Sequence, residues 1–457
     1  MARKLNRREF IGGAAATGAG VWVTGRQSIW AQEKGPNAKL NVACIGTGGR
    51  GFASVDGCKG ENIVALCDVD ENRLNDAAKK MSDKHPNAKK YTDYRKMLDE
   101  VGKEIDAVTV GTPDHHHAPA AVRAMRMGKH AYVEKPMTHS IYEARTLTQI
   151  AAEKKLATQM GNQGHSTSNR RLLVEALQQG VIGKVTEVHA WTNRPIWPQA
   201  IDRPKREDPV PPHLHWEEWI GPAPMRPYAE KTYHDFKWRG WWDFGTGALG
   251  DMACHIMDAA FWGLKLGYPT HVETEGEPLH PESGPKWMIV RLQFPQRGEL
   301  PPVKYAWYDG GKLPPQDIAK GVKLQAEDGK ILVPNGNIIV GDKGTIVVTD
   351  EQTGAWKVYA DGKAPVDKKE LKIEQTLPRV PGDMGGHHGE WIAACKGGPK
   401  SLGDFSYSGP FTETVLIGIV SFRTGKKLEW DGQAMKAKNC PEADPYIKRE
   451  YRKGWEV

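Results

Sequence analysis

The chain has no apolar run long enough to cross a bilayer, which takes roughly 20 residues. The nearest approach, Phe10 to Val23, is 14 residues rich in Gly and Ala. Cysteine is sparse, six in 457 residues and never as a CxxC pair, and neither cysteine nor histidine spacing is strong enough to propose a metal. No internal repeat or low-complexity tract appears, so the length has to be filled by two or three domains, each with its own core. Excess positive charge is also small. The net charge is +7, of which Arg3, Lys4, Arg7, Arg8 and Arg26 against Glu9 supply +4 within residues 1–31, leaving +3 for the rest. That is no electrostatic footprint for a phosphate backbone, so nucleic acid is excluded as a partner. Charged residues at 26% exclude wholesale disorder.

What is present begins with an address. Arg7 and Arg8 precede Phe10, the short apolar run and a polar region, in the order of a twin-arginine export signal, which residues 1–33 resemble. The expected location is periplasmic or otherwise exported. Ala31 before Gln32 offers a cleavage site, but Ile29 stands where a small residue is expected, so an uncleaved form remains an alternative. An exported protein with six cysteines invites a disulfide reading. Against it, Cys44 and Cys67 fall inside strand-like runs, where cysteine acts as a small buried hydrophobe, and the twin-arginine route exports proteins already folded in a reducing cytosol.

Residues 38–160 read as a dinucleotide-binding domain. The apolar run Leu40 to Ile45 leads into GTGGRG, in which Gly46, Gly48 and Gly51 fill G-x-G-x-x-G, and a second run, Ile63 to Cys67, ends in Asp68, 22 residues after Gly46. Gly46 permits the tight turn, Gly48 a close approach of backbone to pyrophosphate, and Gly51 close helix–strand packing, while the following helix presents N–H donors to phosphates. Asp68 accepts hydrogen bonds from ribose hydroxyls and repels a 2′-phosphate, favouring NAD. Strand-like runs at 106–111, 130–133 and 157–161 alternate with helical ones at 118–127 and 141–154, predicting a doubly wound parallel sheet.

GTGGRG, the TPD that opens TPDHHHAP at Thr112 to Pro119, and GKHAYVEKP at Gly128 to Pro136 resemble the glucose-fructose oxidoreductase and inositol dehydrogenase (Gfo/Idh/MocA) family, from about residue 38 to the end. Its most specific element is EKP, Glu134, Lys135 and Pro136, at the carboxyl edge of the sheet, where ligands bind in such folds. Motif and resemblance together place Gly46, Gly48, Gly49, Arg50, Gly51, Asp68, Thr112, Pro113, His117, Glu134 and Lys135 around the cofactor.

Removing a hydride from a carbinol carbon requires a base for the hydroxyl proton. Lys135 is the expected base, its ammonium disfavoured by partial desolvation beside a cationic nicotinamide. In GALGDMACHIMD, Asp251 and His255 are four apart and share a helix face, with Asp258 three further on. The resemblance sets this acid and histidine across the substrate from Lys135, with Asp251 orienting His255 and His255 shuttling the proton. Asn162 and His165, in MGNQGHS after the last strand, are expected on substrate hydroxyls, as are Asp251 and His255. The DHHH run places His117 near the nicotinamide loop or in an exposed turn, and His387 and His388 open a helix returning to the cleft with no assigned chemistry.

Residues 161–457 read as an α+β substrate-binding and oligomerisation domain. Strand-like runs at 185–192, 287–294, 303–308, 330–333, 337–340 and 344–349 predict an open, mostly antiparallel sheet fronted by helices at 251–263, 388–396 and 410–424. The tail from Asn439 is expected to wrap the surface. Residues 193–240 are loop-rich, as functional lids often are. Ten of 16 Trp lie between Trp191 and Trp307, and none between residues 31 and 190, which suits an aromatic-walled carbohydrate cleft or an oligomer interface.

These readings converge on an exported, NAD-dependent oxidoreductase of a sugar, glycoside or polyol. Its NAD is expected to be tightly bound, since free NAD is scarce outside the cytosol, and the chain is expected to be a homodimer or homotetramer through the open sheet. A redox-assisted glycoside hydrolase or lyase working through a 3-keto intermediate is the alternative. A non-catalytic sugar or nucleotide binder is a second, disfavoured by the intact EKP and DxxxH elements.

Overall fold

Strands β1 (Asn41–Ile45), β2 (Asn62–Cys67), β3 (Lys89–Tyr91), β4 (Ala107–Val110), β5 (His130–Glu134) and β6 (Thr158–Gly161) form a six-stranded sheet in the order β3-β2-β1-β4-β5-β6. Every pairing is parallel. The connecting helices α1 (Arg50–Gly57), α2 (Glu71–Met81), α3 (Tyr94–Val101), α4 (Asp114–Arg126) and α5 (Ile141–Glu153) complete the doubly wound arrangement predicted from the alternation. Because both faces are covered, β4 and β5 are buried at every position. The structure, a computed structural model, describes residues 38–457, so the expected twin-arginine signal at residues 1–33 lies outside the described residues.

After α6 (Ser168–Gln178) the chain builds a ten-stranded sheet from β7 (Val185–Thr192), β8 (His271–Gly276), β9 (Met288–Phe294), β10 (Val303–Tyr308), β11 (Asn335–Gly341), β12 (Thr345–Val348), β13 (Trp356–Tyr359), β14 (Val366–Asp367), β15 (Leu428–Asp431) and β16 (Lys436–Ala437). Its order is β14-β13-β12-β11-β7-β10-β9-β8-β15-β16. Only β7 and β10 run parallel; the other pairings are antiparallel. The helices of this half are α7 (Trp216–Ile220), α8 (Gly247–Ile256), α9 (Asp258–Gly263), α10 (His387–Cys395), α11 (Phe405–Thr424) and α12 (Asp444–Ile447). One core joins the two halves, with Val133 of β5 and Leu147 of α5 in the same cluster as Leu249 of α8, Trp307 of β10 and Val415 of α11. All six cysteines are free and buried.

Two expectations are corrected, and one alternative is set aside. Residues 330–333 form no ladder strand, only the bridge between Gln325 and Ile331, because Val333 packs with Ala319 and Leu324 on Trp191, Tyr308, Ile338 and Val347 and its oxygen accepts from the Trp191 indole N–H. That packing covers the middle of the sheet's outer face. The DHHH run is no exposed turn: α4 starts at Asp114 and buries all three histidines. The tail does not merely wrap the surface, since Cys440, Ala443, Ile447 and Trp455 are buried, Trp455 at 5% exposure.

Candidate active site

The glycine turn after β1 is built by contact with β4. Gly46 has φ +78°, and a Cβ there would stand 2.7 Å from the backbone of Gly111 and Thr112. A Cβ on Gly51 would stand 2.2 Å from the Gly46 oxygen and 2.9 Å from that of Gly111. No side chain fits at either position, so α1 can begin directly against the sheet, with Gly49 at its N-cap and Arg50 in its first turn. Asp68, at the end of β2, holds the turn from the other side. Its Oδ2 accepts from the Thr47 N–H (2.7 Å) and the Gly48 N–H (3.1 Å), and its Oδ1 from the Asp70 N–H (3.0 Å). Burial raises its carboxyl, outweighing those main-chain bonds and Arg73. A Cβ on Gly48 would meet the Arg73 side chain, so this arginine stands over the turn.

From the turn a single cleft runs along the carboxyl edge of the sheet. Gly46, Gly48, Gly49, Arg50, Asp68, Thr112 and Pro113 line one stretch, and Glu134, Lys135 and Asp251 line another. Trp219, Phe236, Trp238 and Arg239, from the segment that is loop-rich in sequence, close it. A turn that excludes side chains, an acid at the ribose position and N–H donors at a helix start are the donor set a dinucleotide needs, and this chain has all three.

Two sheets contribute to the reactive end. Lys135 follows β5, and its Nζ donates to the Asp251 carboxylate (2.7 Å) and main-chain oxygen (2.9 Å) on α8. Arg239 Nε donates to the same carboxylate oxygen (3.2 Å), and its guanidinium lies over the rings of Trp238 (4.3 Å) and Phe236 (4.4 Å). Burial works against the Asp251 charge, but Lys135 and Arg239 outweigh it and hold the carboxyl at about 2. Nearby Asp114 accepts from the Thr246 N–H (3.1 Å) and hydroxyl (2.7 Å), and burial pushes it up to about 7 despite those bonds. Glu134 accepts from Gln163 Nε2 (3.0 Å) and Ser54 (3.3 Å) and faces Arg50 (3.4 Å), leaving its Oε2 without a partner.

The remaining predicted residues sit differently. The Asp251 carboxylate is engaged by cations and makes no hydrogen bond to His255, a correction to the expected orienting role; the two charged donors are the stronger partners. His255 lies one turn along α8, outside the cleft lining, with Nδ1 unpartnered and its basicity pushed down to about 3 by burial, then by Lys135 and Arg170. Asn162 and His165 are fully buried on Asp258, at 3.3 and 3.0 Å, and line no part of the cleft. His117 bridges the two cofactor-side loops from beneath, with Nδ1 2.7 Å from the Pro136 oxygen and Nε2 2.9 Å from that of Thr112. His387 contacts Ser166 (2.6 Å) and the Met160 oxygen (2.9 Å), and His388 stacks on Tyr132 with ring centres 4.3 Å apart. Sequence reasoning did not single out Arg239, Asp114, Arg73 or Trp455 as cleft residues. Arg239 had a signal in its setting between Trp238 and Trp241, and Asp114 in the TPD motif; Arg73 and Trp455 depend on contacts between distant segments.

Comparison with known proteins agrees with this geometry. A family profile described as an oxidoreductase family, NAD-binding Rossmann fold, matches residues 40–162, and its C-terminal alpha/beta domain matches residues 175–300. Together they take in more than half of the chain. A glycosyl hydrolase family 109 protein of Saccharopolyspora erythraea is 29% identical over 205 residues, 40% of this chain and 44% of that protein. Another, of Solibacter usitatus, is 29% identical over 208 residues, 42% and 47% respectively. The chain thus spans less than half the length of these curated relatives. Among solved structures, the WlbA dehydrogenase of Chromobacterium violaceum, in complex with NADH and UDP-GlcNAcA, has a TM-score of 0.60 at 16% identity, over 86% of this chain and 97% of that one. The aldose-aldose oxidoreductase of Caulobacter crescentus, complexed with glycerol, has 0.57 at 15%, over 86% and 100%. At such identities the likeness is one of fold.

Proposed function

The chain belongs to the Gfo/Idh/MocA oxidoreductase family, and from that premise we propose that it is an NAD-dependent oxidoreductase acting on a sugar, glycoside or polyol. The observation that carries this reading is the Lys135–Asp251 pair, a proton-handling couple at the carboxyl edge of the Rossmann sheet, in the same cleft as the glycine turn. NAD, when bound, supplies the hydride acceptor. Lys135 is placed to exchange a proton with the carbinol hydroxyl, and Asp251 holds its ammonium form through its carboxylate and main-chain oxygens. Arg239 keeps Asp251 charged and in place. Trp238 and Phe236 offer aromatic surface to the apolar side of a sugar and exclude water. The buried, unpartnered Glu134 Oε2, which lines the cleft, is a group that a polyhydroxylated ligand satisfies.

Export by the twin-arginine route and a cofactor that does not dissociate belong to the same proposal, since an enzyme that leaves the cytosol folded carries its NAD with it. A homodimer or homotetramer is the accompanying assembly, read by light scattering. Among the described residues no helix is long and apolar enough to cross a membrane. The test is direct: denature the purified protein and assay the supernatant for NAD, then follow reduction of bound NAD at 340 nm across a panel of sugars. An NAD-free protein that reduces nothing overturns the reading.

That relatives are named glycosyl hydrolase family 109 proteins favours a second reading, in which C3 is oxidised, the aglycone is eliminated across C1–C2, water adds at C1 and C3 is reduced again. Lys135 would handle the same proton. Aryl glycosides in deuterated water separate the two: aglycone release with deuterium at C2 supports the hydrolase, and a ketosugar formed with stoichiometric reduction of an acceptor supports the dehydrogenase.

A further inference from the structure

We infer that the adenine end of the cleft is completed by two segments foreign to the dinucleotide-binding fold, with Trp219 of the 193–240 stretch and Trp455 of the C-terminal tail as its aromatic wall. The inference rests on the NAD reading above. In a Rossmann domain the acid at the end of β2 takes the adenosine ribose, so the base lies beyond Asp68, towards Val69 and the residues that follow β3. At that edge the cleft is lined by Val69, Tyr94, Trp219 and Trp455.

Both foreign segments are tied there. The first is stitched to the β2–α2 junction by the Glu71 N–H on the His213 oxygen and the His215 N–H on the Val69 oxygen, each 2.9 Å. The tail is stitched to the first segment in turn: the Arg452 N–H donates to the Pro222 oxygen (3.2 Å) and its guanidinium to Glu217 (3.0 Å). Trp455 is thereby set edge-on to Tyr94, ring centres 5.7 Å apart, with the Arg95 guanidinium 3.8 Å from its ring. With Arg95 on one face of Trp455 and Trp216 stacked on one face of Trp219 (ring centres 4.7 Å apart), the adenine meets the aromatic surface that these rings leave to the cleft. A base so enclosed leaves only when tail or insertion moves, which acts on the dissociation rate. The chain's last residues, far from the chemistry, therefore govern how long NAD stays.

The experiment uses the full chain and two probes, NADH and reduced nicotinamide mononucleotide, which lacks the adenosine half. Trp455→Ala is expected to raise the NADH dissociation rate by about tenfold, leave mononucleotide affinity unchanged, and be largely rescued by Trp455→Phe. Should the alanine chain not fold, Trp455→Leu keeps the bulk without the ring and gives the same comparison. An unchanged NADH dissociation rate, or equal weakening of both probes, overturns the inference. A native chain that binds neither probe overturns the NAD reading and this inference with it.

Discussion

Lys135 and Asp251 are 116 positions apart in the chain, yet the lysine ammonium donates to both the carboxylate and the main-chain oxygen of the aspartate, at 2.7 and 2.9 Å. A bond to the main-chain oxygen fixes the ammonium to the helix itself, so the pair also docks β5 of one sheet onto α8 of the other. The reactive group is therefore positioned by the domain contact, and the cleft cannot open at this point without separating two charges that are each mostly buried.

Replacing Lys135 with Met removes the proton acceptor but leaves the glycine turn intact. Turnover is expected to fall by roughly 10²–10⁴-fold with bound NAD retained, measured by steady-state kinetics beside the NAD content of denatured protein. Asp251→Asn is expected to lower turnover too, because the amide oxygen that replaces the carboxylate still accepts from Lys135 but carries no charge to hold its ammonium. Full activity in the Met variant removes Lys135 from its role.

Gly51→Ala tests the turn. Its Cβ would lie 2.2 Å from the Gly46 oxygen, backbone that has no free space to give. A loss of about 1–3 kcal/mol of stability, together with at least about tenfold weaker NADH binding, is expected from urea titration and fluorescence. Unchanged binding shows that the turn does not cradle the cofactor.

The first domain was legible because its signals are local: a glycine turn, an acid 22 residues on and alternating apolar runs each report their own element. Asp68 and Lys135 could be read this way. The second domain was legible only in part, since β8 (HVETEG) alternates charge with apolar residues and gives no apolar run, and residues 330–333 looked like a strand until Leu324 packed on Trp191. Site residues that depend on contacts between distant segments, Arg239 on Asp251 and Trp455 beside Tyr94, leave no local pattern at all. The expected Asp251–His255 couple failed for the same reason, because helical spacing shows who could meet and two cations from elsewhere decided who did.

The protein is expected to lose stability as pH falls below about 6.5. Burial pushes His255 and His116 down to about 3 and His130 and His388 down to about 4, and it holds His115, His139 and His387 well below the usual imidazole range. The unfolded chain protonates these imidazoles near 6.5 and the folded chain does not, so between roughly pH 4 and 6.5 the unfolded state binds more protons and acid favours it. Each of the first four contributes on the order of 2 kcal/mol at pH 5. Asp114 and Asp309, raised to about 7 by burial, act in the opposite sense but are outnumbered. The urea midpoint should be lower at pH 5 than at pH 7.5, and His388→Asn should flatten that difference. A midpoint that rises on acidification contradicts the account.

The Asp258 cluster separates a binding role from a supporting one for the residues after β6. Fully buried Asp258 accepts from Arg170 (3.1 Å) and Tyr407 (2.7 Å) and lies 3.0 Å from His165 Nδ1, with His165 stacked on Trp262. Burial works against its charge, but His165 and Arg170 outweigh it and hold the carboxyl well below its usual range. Asp258→Asn leaves Arg170 buried without its counter-ion, which costs about 3–5 kcal/mol, so the variant should unfold at much lower urea. His165→Asn should also lower the midpoint while the folded fraction keeps its KM within a few-fold, because His165 touches Asp258 and Trp262 and no part of the cleft lining. A KM raised about 100-fold at an unchanged urea midpoint would instead place His165 on the substrate.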